Sequence, residues 1–185
     1  PLKGLTNFSQ IEDTHPAKKY LINRKIPSEF YDKLYYCDKF QSYVNRLRPG
    51  TFDKLNKIYE HPRLIIPFYD VDGEVFAIQG RAFGKETPKY LTLKFDENKQ
   101  KIYGLERVNL QNRLYIVEGP IDSLFIDNCL AAAGADLQLP VEKKDVVFIF
   151  DNEPRNKQII DRMYKVIEQD YELVIWPEGQ KEKDI

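Results

Sequence analysis

An α/β fold built on a parallel sheet, preceded by a mixed α+β region, is the class this 185-residue sequence predicts. Three observations point to it. Residues 113–117 and 146–150 are short, almost wholly apolar runs that end abruptly in carboxylates, the pattern of strands buried on both faces. From Arg113 onward such runs alternate with segments of helical spacing, as a parallel sheet with crossover helices requires. Residues 64–94 instead carry strand periodicity broken by turn residues, which predicts hairpin-connected strands.

The elements follow in order. Pro16 suits the first turn of a helix reaching about Arg24. Pro27-Ser28 opens a second, with Phe30, Tyr31 and Leu34 facing inward. Residues 64–69 and 75–78 flank Asp70-Val71-Asp72-Gly73 as a hairpin, and Tyr90-Leu91-Thr92-Leu93 supplies a third strand. The polar stretch 95–112 is expected to connect an N-terminal subdomain, residues 1–110, to a second one, residues 111–185. There the first strand leads into a helix bearing Ile121, Leu124 and Phe125, and a short strand lies near 130–133. The strand 146–150 precedes a helix from about Lys157, with Ile160, Met163, Tyr164 and Ile167 at helical spacing. The last strand spans 172–176 and is followed by Glu178.

Composition bounds the function. The 12 Tyr and 11 Phe argue against disorder, and the length suffices for a proper core. No apolar stretch approaches the roughly 20 residues of a membrane span, and the N-terminus lacks a signal-peptide pattern. Cys37 and Cys129 are isolated, which suits a reducing compartment and leaves no thiolate metal site. The net charge is −1, yet residues 1–94 hold 16 basic and 11 acidic side chains while residues 95–185 hold 12 and 18. Such asymmetry is either solvated surface or a basic half for a polyanion beside an acidic half for a metal. The missing initial Met and the ending Lys183-Asp184-Ile185 read as a piece of a longer polypeptide.

The acidic strand ends carry the chemistry. Side chains at the carboxyl ends of parallel strands line the crevice where open α/β sheets bind ligands. Glu118, Asp151 and Glu153 crowded there, with Glu178 on the next strand, repel one another unless a divalent cation intervenes, and hard oxygen donors suit magnesium. That combination points to phosphate chemistry. Each group has a structural rival. Glu118 and Asp122 also suit a helix N-terminus, where carboxylates offset the macrodipole, and Asp151-Asn152-Glu153 also suits a polar turn that caps the helix from Lys157. Asp70 and Asp72 read as turn residues, His15 and His61 as structural, and Gly134-Ala135-Asp136 as loop. Arg46-Leu47-Arg48 and Lys54…Lys57 suit either a nucleic-acid backbone or a solvated helix face.

The stretch Val117-Glu118-Gly119-Pro120-Ile121-Asp122, followed by Phe150-Asp151-Asn152-Glu153, resembles the Toprim domain shared by bacterial-type primases, type IA and type II topoisomerases and certain nucleases. Upstream, Ile66-Pro67-Phe68-Tyr69-Asp70, Gln79-Gly80-Arg81 and Pro88-Lys89-Tyr90-Leu91 resemble the segment that precedes Toprim in DnaG-type primases. Asp151-Asn152-Glu153-Pro154-Arg155-Asn156 and Trp176-Pro177-Glu178-Gly179…Lys183-Asp184-Ile185 look most like primases of T-even-type phages. The resemblance covers residues 64–185 well. It implies a Toprim-like parallel sheet flanked by helices and synthesis of short RNA primers on DNA by metal-dependent nucleotidyl transfer.

The resemblance also implies a set of roles. Glu118, Asp151, Glu153 and Asp184 would ligate Mg2+ (or Mn2+), with Glu118 alternatively moving a proton. Arg81, Lys89, Tyr90 and Arg155 would bind nucleotide or nucleic acid. The implied partners are single-stranded DNA template, ribonucleoside triphosphates and a replicative helicase contacted through regions outside this chain. No membrane is implied, and the location is cytoplasmic, the host's for a phage protein. Glu153 stands where the family pattern has its second Asp, one methylene shorter. That departure leaves open a Toprim nuclease, or a catalytically inert nucleic-acid-binding module.

Overall fold

The computed structural model describes residues 1–52, 60–132, 137 and 141–183, and the chain divides into two compact units. The first comprises residues 1–68 and 74–97, the second residues 69–73 and 98–185.

The first unit is built on a five-stranded sheet in simple chain order: β1 (Thr6–Asn7), β2 (Tyr35–Cys37), β3 (Arg63–Tyr69), β4 (Val75–Ala82) and β5 (Tyr90–Lys94). The hairpin and the third strand stand as the periodicity indicated. Asp70 makes the expected Asx turn, its carboxylate accepting from the Asp72 N–H at 3.0 Å, and it pairs with Lys99. The first two strands were not expected, because two- and three-residue strands leave no period to read.

Helix α1 (Pro16–Asn23) begins as predicted with Pro16 at its first position. His15 Nδ1 accepts from the Ala17 N–H at 3.1 Å and caps it, so this histidine is structural. The helix expected from Pro27 is instead a 3-10 segment, Ser28–Lys33, with Leu34 buried just beyond it. Helix α2 (Phe40–Leu47) has no cap from its own Lys39. The Glu60 carboxylate fills that place, taking the Gln41 N–H at 2.7 Å and the Ser42 hydroxyl at 2.9 Å. Arg46 and Arg48 donate to the carbonyls of Lys3 and Lys94, whereas Lys54 and Lys57 lie outside the described residues.

Phe40 packs against the bare Cα of Gly80 in the middle of β4. A Cβ at position 80 would sit 2.5 Å from Phe40 Cζ and 3.1 Å from Arg63 Cδ. Gly80→Ala is therefore expected to destabilise the chain by about 1–3 kcal/mol, the usual cost of overpacking, measured by urea unfolding.

The second unit holds a parallel sheet of β6 (Leu114–Val117), β7 (Cys129–Ala131), β8 (Val146–Phe148) and β9 (Glu172–Leu173), in the order β7-β6-β8-β9. Residues Leu114, Ile116, Leu130, Val146 and Phe148 form its core with Ile159 and Val166 of helix α3 (Lys157–Glu168). Asn156 caps α3 by accepting the Gln158 N–H at 3.1 Å.

Three expectations fail here. Residues 98–110 are no polar connector, since Ile102 and Tyr103 are buried and Leu105, Val108 and Leu110 pack on the same core. The helix after β6 is a single 3-10 turn, Asp122–Phe125, because the chain must reach β7 within a few residues. The last strand is two residues long, and Ile175 stands exposed beyond it. The loop 134–136 lies outside the described residues.

Both cysteines are free and buried, and burial pushes each thiol from its ordinary value near 9 up to about 12. Neither is expected to react with a disulfide reagent at pH 8 until the chain is unfolded. A folded-state pKa above the unfolded one contributes stability below pH 9 that is lost as pH rises toward 12. Denaturation midpoints measured across that window should fall, and fall less in a Cys37→Ala chain.

Candidate active site

The carboxylates gather where the second sheet reverses its order. From β6 the chain moves to β7 on one side, then returns to β8 on the other, and the carboxyl ends of β6 and β8 are the switch point where such sheets bind ligands. Glu118 is the first residue after β6, and Asp151 follows β8 by three residues. Parallel pairing of β6 with β8, Ile116 across from Phe148, brings both strand ends to one place. The Asp151 N–H donates to Glu118 Oε2 at 3.3 Å, so the two expected residues do converge.

Each carboxylate also meets a cation. Arg162 Nη1 of α3 pairs with Glu118 Oε1, while Lys183 Nζ bridges Glu153 Oε1 and Asp151 Oδ2, the latter at 3.8 Å. Asn156 donates to the second Glu153 oxygen at 2.5 Å. The Lys183 ammonium, then the Asn156 amide, hold the Glu153 carboxyl below the usual carboxylate range. Asn152 ties residues 180–183 to this loop: its N–H donates to the Lys183 carbonyl at 2.6 Å, and its side-chain amide to the carbonyls of Gln180 and Glu182.

Glu178 is exposed on the turn after β9, so only two of the three strand ends bring acids together. Arg155 is exposed, and Asp184 lies outside the described residues. Asp122 opens a 3-10 turn and not the helix expected there, its carboxylate lying against Gly119.

In the first unit, Arg81 on β4 lies directly across from Tyr90 on β5, and the Ala82 N–H donates to the Lys89 carbonyl at 2.9 Å. The Arg81 guanidinium is centred 5.3 Å from the Tyr90 ring and 5.8 Å from the Tyr20 ring. Lys89 Nζ lies 5.7 Å from the Tyr90 ring. Arg81 is only 4% exposed, and its buried Nε has no hydrogen-bond partner. Arg63, which the sequence reading did not single out, donates to the carbonyls of Gly80 (3.1 Å), Pro88 (2.9 Å) and Lys89 (3.3 Å) and so fixes the backbone that presents Lys89. Its signal was an arginine opening an otherwise apolar strand. Arg162 and Lys183 were missed too, since a charge on a helix or in a polar tail carries no pattern of its own.

No family model matches the chain. Across 188 aligned residues, and over all of its own length, the chain is 38% identical to the DNA primase of Enterobacteria phage T4, of which it spans 54%. It thus covers about half the length of that curated relative. A DNA primase domain from Pseudomonas aeruginosa matches with a TM-score of 0.66 at 20% identity, over 95% of this chain and 68% of that one. The Aquifex aeolicus primase, with its zinc-binding and RNA polymerase domains, matches at 0.65 and 20% identity, over 90% and 51%. A DnaG primase catalytic domain bound to single-stranded DNA matches at 0.63 and 19% identity, over 95% and 68%. The fold is that of the DnaG-type primase catalytic domain. By sequence the chain is a relative of the phage T4 primase.

Proposed function

We propose that this chain is the catalytic region of a DNA primase, joining ribonucleotides into short primers on a single-stranded DNA template. The observation that carries the reading is the convergence of Glu118, Asp151 and Glu153 at the β6–β8 crevice, in a relative of a phage primase. Nucleotidyl transfer asks the protein mainly to position reactants and neutralise phosphate charge.

The donor set suits Mg2+ or Mn2+. Among the described residues no three acidic, histidine or cysteine side chains form a ready-made metal shell. Magnesium, however, takes one or two carboxylates and completes its shell with water and substrate phosphate. One ammonium already bridges Asp151 and Glu153, so that pair can serve a single cation. Asp151 and Glu153 would hold the metal, Glu118 and Asp184 would add further ligands, and Lys183 would yield its place. When bound, the ion supplies charge neutralisation at the transferred phosphoryl group.

The remaining roles belong to the first unit and to the helix cap. Lys89 offers a point charge for phosphate and Tyr90 a face for a base. Arg81, clasped between Tyr20 and Tyr90, adds positive charge beneath that ring. Arg155, exposed next to the α3 cap, suits template phosphate. Contact with a replicative helicase would fall to regions outside this chain.

The test is incorporation of labelled ribonucleotides on single-stranded DNA with Mg2+. Short RNA products that vanish on chelation support the reading. Nicked nucleic acid without incorporation would replace it with phosphodiester hydrolysis, and no reaction of either kind would overturn it.

A further inference from the structure

We infer that Arg162 is a positioning residue for Glu118, holding one carboxylate oxygen so that the other faces the Asp151 loop; the inference rests on the primase reading above. Arg162 stands three residues after Ile159 and four before Val166, both buried in the core of the second unit, so its backbone is fixed by helix packing. From there the guanidinium reaches across to the end of β6 and takes Glu118 Oε1. The other oxygen, Oε2, is thereby turned toward the Asp151 N–H. With both oxygens engaged and only 19% of its side chain exposed, Glu118 has one orientation rather than a swarm of rotamers.

The division of cations supports a directing role. Asp151 and Glu153 share Lys183, an ammonium on a flexible stem that a metal cation can displace. Glu118 has a planar guanidinium anchored on a rigid helix, which stays when Lys183 leaves. Arg162 thus keeps Glu118 aimed at the loop through the whole cycle. It touches no reacting atom itself.

The experiment uses this chain with Arg162→Met, Arg162→Lys, Glu118→Gln and the Arg162→Met/Glu118→Gln double variant. Crystal structures of the parent and Arg162→Met are read for the Glu118 rotamer; Oε2 is expected to leave the Asp151 N–H. In the incorporation assay, Arg162→Met should lower kcat by about 10–100-fold, the range for partners that orient a site ligand, with KM for ribonucleotide nearly unchanged. Arg162→Lys should recover part of the loss. The double variant should be no slower than Glu118→Gln alone, because Arg162 acts only through Glu118.

An unmoved Glu118 in Arg162→Met, or losses that multiply in the double variant, overturns the inference. Should Arg162→Met fail to fold, Arg162→Gln, which carries no charge, takes its place in the test, and a parent-like kcat there overturns the inference. If the parent chain makes no primers, the primase reading has failed on its own, and the Glu118 rotamer still decides this question.

Discussion

Asp151→Ala is expected to abolish primer synthesis while leaving the fold intact. Its backbone N–H, not its side chain, makes the contact with Glu118, so the alanine chain keeps the link between the two strand ends. Its carboxylate meets Lys183 only at 3.8 Å, a long and half-exposed pair that adds little to stability. What disappears is one of the two oxygen donors that converge on a single cation. Removing partners that merely orient a ligand costs roughly 10–100-fold; removing the ligand itself should cost on the order of a thousandfold or more, about 4 kcal/mol of barrier at 1.4 kcal/mol per decade. Isothermal titration with Mn2+ should show the paired loss of binding. Asp151→Asn separates charge from shape: it keeps the volume and one oxygen, and it should rescue neither metal binding nor rate. A chain that polymerises at the parent rate without this carboxylate would remove Asp151 from the site.

The residues that place this site differ in how openly they announce themselves. Residues 114–117 and 146–148 were legible because a strand buried on both faces must be apolar throughout, and the acids beyond it stand out by contrast. Helix α3 was legible from its period and α1 from Pro16. The 3-10 turn at Asp122–Phe125 was not, since Ile121, Leu124 and Phe125 show the same spacing in either helix type and only the short distance to β7 decides. Arg81 illustrates a second limit. Its sequence neighbours announce a hairpin, which suggests exposure, yet Tyr20 from helix α1 and Tyr90 from the next strand cover it. Burial imposed by a residue as distant in the chain as Tyr20 leaves no local mark. The stretch 95–112 erred the same way: its polar residues outnumber Ile102, Tyr103 and Leu105, but those few point inward together.

The other large effect lies in the core that carries the acids. Phe148 is 2% exposed at the end of β8, paired in register with Ile116 and Leu173. Its ring lies 6.1 Å from that of Phe150 at 14° and 5.2 Å from that of Tyr171 at 64°. Truncation to alanine removes both ring contacts and leaves a void between two strands and α3. The cost for a buried phenylalanine is about 3–5 kcal/mol, a large share of the roughly 5–15 kcal/mol that holds a domain folded. With a urea dependence near 2 kcal/mol per molar, the midpoint of the second unit's transition should drop by about 2 M. Phe148→Leu, which refills most of the volume, should lose about a third of that. Because Asp151 sits three residues beyond Phe148, the alanine chain should also lose primer synthesis on mild warming before the parent does. An unchanged midpoint in Phe148→Ala would mean that the strand pair carrying the carboxylates is not held by this core.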